Sequence, residues 1–168
     1  MLKIPIQGLK DGSSDISLTS DVSEMGVIFP EFFGKITLSG ILSKFGKRYT
    51  FTGKAVCNSN LICDRSLEEY TEEITAPITV SYLADTEVFL LQDPASDENV
   101  YIIREDEPFI DLSVEVCEEL ALNLPMKRIA LQYRDKELKD IIPDITEAGE
   151  EQKIDERWSA LKNIHLNN

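Results

Sequence analysis

The sequence predicts an α+β protein: mainly an antiparallel β-sheet, barrel-like, carrying one packed helix and a C-terminal helical arm. Three observations support this. Apolar and polar residues alternate through much of the first 110 or so positions, the spacing changes to four between Leu112 and Leu124, and a polar, acidic stretch then precedes a final short apolar repeat. A chain of 168 residues is the size of one domain. The expected division is a β-rich core over residues 1–133, with its helix near 113–124, and an acidic flexible linker ending in a short helix over 134–168.

Leu2, Ile4 and Ile6 alternate with polar or turn residues and predict a first strand. Asp11 and Gly12 mark a turn, and Ile16 and Leu18 suit a short second strand. Ile36 and Leu38 continue the alternation, and Phe45, Gly46 and Lys47 read as a hairpin tip before Tyr49, Phe51 and Thr52. Over residues 74–82 every even position is apolar, and Pro77, which has no N–H to donate, makes this an edge strand or a bulge. Residues 88–91 and 100–103 are expected as two further short strands around a polar loop at 92–99. Leu112, Val116, Leu120 and Leu124 then form one helical stripe with Cys117 and Ala121 alongside. Asp111 or Ser113 can cap its start, Glu115 suits the macrodipole, and Pro125 stops it. Trp158, Leu161 and Ile164 predict a terminal amphipathic helix capped by Asp155.

The composition, 42% hydrophobic and 29% charged, excludes a wholly disordered chain. No stretch approaches the roughly 18 apolar residues of a membrane span, the N-terminus lacks the apolar core of a signal peptide, and three cysteines build no disulfide framework. The expected location is the cytoplasm. With 17 basic and 31 acidic residues the net charge is −14, so a nucleic-acid surface must be local. Residues 1–62 carry +2 and the remainder −16, and no acidic residue lies between Glu31 and Asp64. That window holds Lys35, Lys44, Lys47, Arg48 and Lys54 interleaved with Phe45, Tyr49 and Phe51. Cations among aromatics can follow a phosphate backbone and stack bases, so Lys35, Lys44, Lys47, Arg48, Tyr49 and Lys54 are candidate RNA-binding residues. The alternative is a strand pair with a solvated basic face and core aromatics.

Chemistry for catalysis is sparse. His165 is the only histidine, four residues after Leu161 near the chain end, and no Gly-rich phosphate loop or paired-histidine zinc motif occurs. Paired glutamates such as Glu68 with Glu69 and Glu118 with Glu119 suit solvated surface. Cys57, Cys63 and Cys117 could give three thiolates, short of the four ligands of a structural zinc site, and Cys117 sits on the apolar stripe. No catalytic residue, metal or cofactor is expected.

One segment goes beyond generic pattern. Cys63, Asp64, Arg65, Ser66 and Leu67, followed by Glu68, Glu69 and Tyr70 and preceded by Gly53, resemble the Cys-x-Arg-Cys-Leu-x-x-Phe motif of the YceD family, bacterial proteins of large ribosomal RNA subunit accumulation. A second block, Asp111, Leu112, Val116, Glu118, Glu119, Leu120, Leu122, Leu124, Pro125 and Lys127, is similar to the family's helix and its exit. The tail at Asp155, Arg157, Trp158 and Leu161 resembles the family's ending, with Glu156 in place of proline. Three blocks in order over residues 53–162 make the resemblance specific. It implies Cys63, Arg65, Ser66 and Leu67 as family-motif positions. Ser66 stands where typical members have a second cysteine, and the cysteines that follow the helix exit elsewhere are absent here, so a zinc site is expected to be lost. Arg65 is expected to fix the turn by binding carbonyls or carboxylates.

The function implied by the resemblance is non-enzymatic support of 23S ribosomal RNA synthesis, processing or stability during large-subunit assembly, with direct RNA binding as the expected mode. The alternative is an acidic module that escorts a basic large-subunit ribosomal protein, its carboxylates mimicking phosphate. Whether the basic residues share one surface discriminates between them.

Overall fold

In the computed structural model, which describes residues 1–26, 28–91 and 100–136, four long strands form an antiparallel meander: β2 (Gly12–Asp21), β3 (Phe32–Phe45), β4 (Arg48–Ile62) and β5 (Glu69–Ala84). The even positions of β3 and β5 and the odd positions of β4 point to one face, which buries Ile36, Leu38, Leu42, Phe51, Ala55, Ile74, Ala76, Ile78 and Val80. The period-2 pattern produces this, since a strand that alternates apolar and polar residues buries one side. At the β3–β4 tip the predicted hairpin closes through Gly46 at φ 58°, the left-handed geometry that the first residue of such a two-residue turn requires.

The sheet is not closed. β2 pairs only with β3, and β6 (Val100–Ile103) pairs only with the last four residues of β5, in parallel, so the barrel-like expectation is corrected to an open five-stranded sheet. Its inner face is covered instead by a two-stranded ribbon of β1 (Lys3–Pro5) and β7 (Phe109–Asp111) and by a helix, whose side chains join the sheet in one apolar core. Pro77 lies where β5 has β4 on one side and, among the described residues, no strand on the other, and the register past it is unbroken, so it marks an edge and no bulge.

Residues 88–91, read as a strand, belong to helix α1 (Thr86–Leu91). Four apolar residues carry no period of their own, and the deciding group precedes them: the Asp85 carboxylate accepts the N–H groups of Glu87 and Val88 at 3.1 and 3.2 Å. Helix α2 (Ser113–Leu122) forms as predicted and buries Val116, Cys117 and Leu120. Its N-cap residue is Leu112, which makes no side-chain cap, while Asp111 accepts the Ser113 N–H at 3.0 Å from one position earlier. The linker expected beyond residue 136, the expected terminal helix and the polar loop expected at 92–99 lie outside the described residues.

Candidate functional site

The basic window is divided by the pleat. Lys44 and Tyr49 lie on the inner side, where the Lys44 ammonium donates to the Leu9 carbonyl and sits 5.4 Å from the Tyr49 ring centre. Tyr49 and Phe51 are buried, so neither presents a ring to a base. Lys47 at the hairpin tip meets Glu105 at 2.6 Å and Asp85 at 3.4 Å, and these carboxylates, Glu105 foremost, raise its pKa. Lys35 is exposed at the far end of β3 opposite Asp21, about 30 Å along the strand from Lys44.

Arg48 and Lys54 share the outer face of β4 and are exposed, and among the described residues neither has an ion-pair partner. Six residues apart, they stand about 20 Å from each other. The surface around them is hydroxyl-rich: Ser43 pairs with Thr50, Ile41 with Thr52, Ser39 with Lys54 and Thr37 with Val56, and β5 adds Thr75, Pro77, Thr79 and Ser81. Carboxylates occur only at the flanks of this face, with Asp15 and Asp21 on β2 and Glu69 and Glu73 on β5.

The family-motif positions form a tight turn between β4 and β5. The Leu67 N–H bonds the Cys63 carbonyl, and the Cys63 N–H bonds the Glu68 carbonyl, both at 2.9 Å. Leu67 holds φ 61°, a left-handed conformation uncommon for a branched side chain. The segment following α2 closes over this turn. Asp64 exchanges two bonds with the Arg128 backbone, its N–H donating at 2.6 Å and its carboxylate accepting at 2.8 Å. Arg65 donates to the carbonyls of Tyr133, at 2.6 Å, and Lys136. Tyr133 reaches Glu68 at 3.0 Å, Arg134 reaches Glu72, and Arg128 reaches Glu31 at 3.4 Å. These last pairings were not legible in the sequence, because each joins residues more than 60 positions apart.

Cys63 is fully buried. Burial opposes its ionisation, but the N–H groups of Ala130, Ser66 and Arg65 and the Ser66 hydroxyl all favour the thiolate and bring the thiol down to about 7. The Ala130 N–H lies 3.5 Å from the sulfur. A zinc ion needs four donors and usually two paired knuckles. This turn offers one thiol and one hydroxyl, and the segment that follows α2 brings an N–H donor. Among the described residues no three His, Cys, Asp or Glu side chains converge, so the residues present do not fit the metal.

A second region escaped the sequence reading. Between β5 at residues 78–81, where its free edge meets the start of β6, and α2 lies a polar cleft of about 420 Å³, walled by Glu115, Glu118 and Glu119 and by Tyr101. Glu115 accepts the Tyr82 hydroxyl at 3.1 Å through one oxygen, while its other oxygen is shielded from solvent and accepts nothing from the described residues. Burial raises the Glu115 pKa, and Glu118 and Asp111 add to the rise. Helical spacing of 115, 118 and 119 was visible, but the strand edge facing them was not.

No described helix is long and apolar enough to cross a membrane, which leaves membrane β-barrels unaddressed. No curated protein and no solved structure matches the chain. A family model described as large ribosomal RNA subunit accumulation protein YceD matches residues 51–165, from near the start of β4 through the motif turn, α2 and the tail. The match spans well over half of the chain, and the turn and the helix exit that it covers are packed against each other; the chain belongs to the YceD family, whose name implies a role in accumulation of the large ribosomal subunit.

Proposed function

We propose that this protein supports 23S ribosomal RNA without catalysing a reaction, by holding the RNA backbone against the outer face of the β2–β5 meander. The observation that carries the reading is that β3 and β4 contain no carboxylate and present Arg48 and Lys54, both without ion-pair partners among the described residues, in a field of hydroxyls. Arginine and lysine at this spacing bind phosphates, and serine and threonine hydroxyls bind phosphate or sugar oxygens. Tyr49 and Phe51 lie in the core, which leaves exposed Phe45, paired with Arg48, as the window's one ring open to a base, so backbone contact with a folded RNA suits the surface better than a single-strand groove lined by stacking rings. Lys35 extends the surface, and Lys44 and Lys47 serve the fold.

The experiment is a titration with large-subunit RNA fragments at several salt concentrations. Each phosphate contact contributes about 0.7–0.9 to the slope of log affinity against log salt. Replacing Arg48 and Lys54 together by alanine is expected to weaken binding and flatten that slope by roughly 1.4–1.8. Replacing Lys44 and Lys47 leaves the slope unchanged. The reverse pattern would overturn the assignment.

A second reading, escort of a basic ribosomal protein, is favoured by the glutamate-walled cleft. Its orphan Glu115 oxygen is an acceptor suited to a lysine or arginine, and the adjoining β5 edge could pair with an extended peptide. Replacing Glu115, Glu118 and Glu119 by glutamine is expected to abolish capture of a lysine-rich peptide and leave RNA affinity intact.

A further inference from the structure

The N-terminal end of α2 borders an apolar groove of about 730 Å³, lined by Met1, Met25, Ile28, Phe29, Pro30 and Val114. Phe29 and Val114 are 53% and 66% exposed, although both are large apolar side chains in a chain with a net charge of −14. Leu122, Met126 and Leu131 are exposed as well, outside the groove. An exposed apolar groove of this kind marks a place where something docks.

The geometry points to one occupant: this chain's own segment 155–164, with Trp158 and Leu161 as the groove's apolar anchors. Three observations select it. First, the segment is within reach, because Trp158 lies 22 positions after Lys136, enough chain for about 25 Å, and the stretch that precedes Lys136 already passes beside the groove, where Arg128 pairs with Glu31 next to Pro30. Second, the segment is neutral within an acidic chain, Arg157 and Lys162 offsetting Asp155 and Glu156, so it meets no net repulsion from the Glu24, Asp111 and Glu118 that rim the groove. Third, the family match runs to residue 165, so the segment belongs to the same unit as the motif turn and α2. The inference does not depend on the RNA reading.

Trp158 is the only tryptophan, so its fluorescence in the full-length protein reports the groove. The wild-type protein should show the emission of a buried indole, poorly quenched by acrylamide and independent of protein concentration. Val114→Asp, in the groove, and Leu161→Ser, in the segment, should each shift the emission towards that of indole in water. Losing one buried apolar contact of this size lowers the ratio of docked to undocked forms by about tenfold or more. Ile41→Ser, on the opposite face of the sheet, should change nothing. Because Leu161 lies outside the groove, its variant keeps the test informative if Val114→Asp disturbs folding. A water-exposed indole in the wild type, a buried one unaffected by both variants, or burial that appears only as concentration rises, as for a second copy in the groove, would each overturn the assignment.

Discussion

Cys63 shows how a single residue carries the motif turn. Its thiol is drawn down to about 7 by donors from the turn and from Ala130, against the ordinary value of 9.0. A group whose pKa is lowered by folding stabilises the fold when ionised, so this contribution is present above about pH 9 and is lost as pH falls through about 7. Unfolding titrations are therefore expected to show a stability increment between pH 7 and 9 that Cys63→Ser abolishes, and equal pH profiles would contradict it. Gly53 is a second such residue. It pairs with Gly40 across β3 and β4, and a Cβ on Gly53 would lie 2.3 Å from the Ser39 carbonyl oxygen and 3.0 Å from the Phe51 ring. Gly53→Ala is expected to cost about 2–3 kcal/mol in denaturant unfolding, because the contact is with backbone that cannot give. The sequence alone did not reveal this opposition, because it depends on register, which periodicity does not fix.

At the scale of elements, the strands of the meander and α2 were legible because each is long enough to show its period. The failures share a cause. Residues 88–91 were too few to distinguish helix from strand, and Asp85, the group that decides, lies outside the apolar run. The barrel-like expectation failed because alternation says which face is buried and nothing about what covers it, and here the β1–β7 ribbon and α2 do. The acidic cleft illustrates the same point, since α2 supplies three glutamates but β5 supplies the edge. Glu115→Gln keeps an acceptor for the Tyr82 hydroxyl and removes a carboxylate that burial, Glu118 and Asp111 all disfavour in its charged form. Its folded pKa is raised, so its penalty grows as pH rises through that value. The variant is expected to be at least as stable as wild type at neutral pH by thermal unfolding, and a lower melting temperature would contradict this account.

Across the whole molecule the charge is segregated. The −16 of residues 63–168 lies on sequence that follows β4, whereas the outer surface of β3 and β4 is free of carboxylates. At physiological ionic strength, repulsion between exposed charges is largely screened beyond about 8 Å, so an acidic protein can present one basic face to RNA. The resemblance of three ordered blocks identified the family, but the candidate site was only half legible. Counting cations found the window, while the pleat decided that Arg48 and Lys54 face outward and that Lys44, Lys47 and Tyr49 are occupied within the fold. Backbone amide shifts recorded by NMR while a large-subunit RNA fragment is added to the full-length protein test this most directly. The account predicts perturbations concentrated on residues 37–43 and 48–56, around Arg48 and Lys54. Perturbations confined to α2 and residues 78–81, or none at low salt, would contradict it.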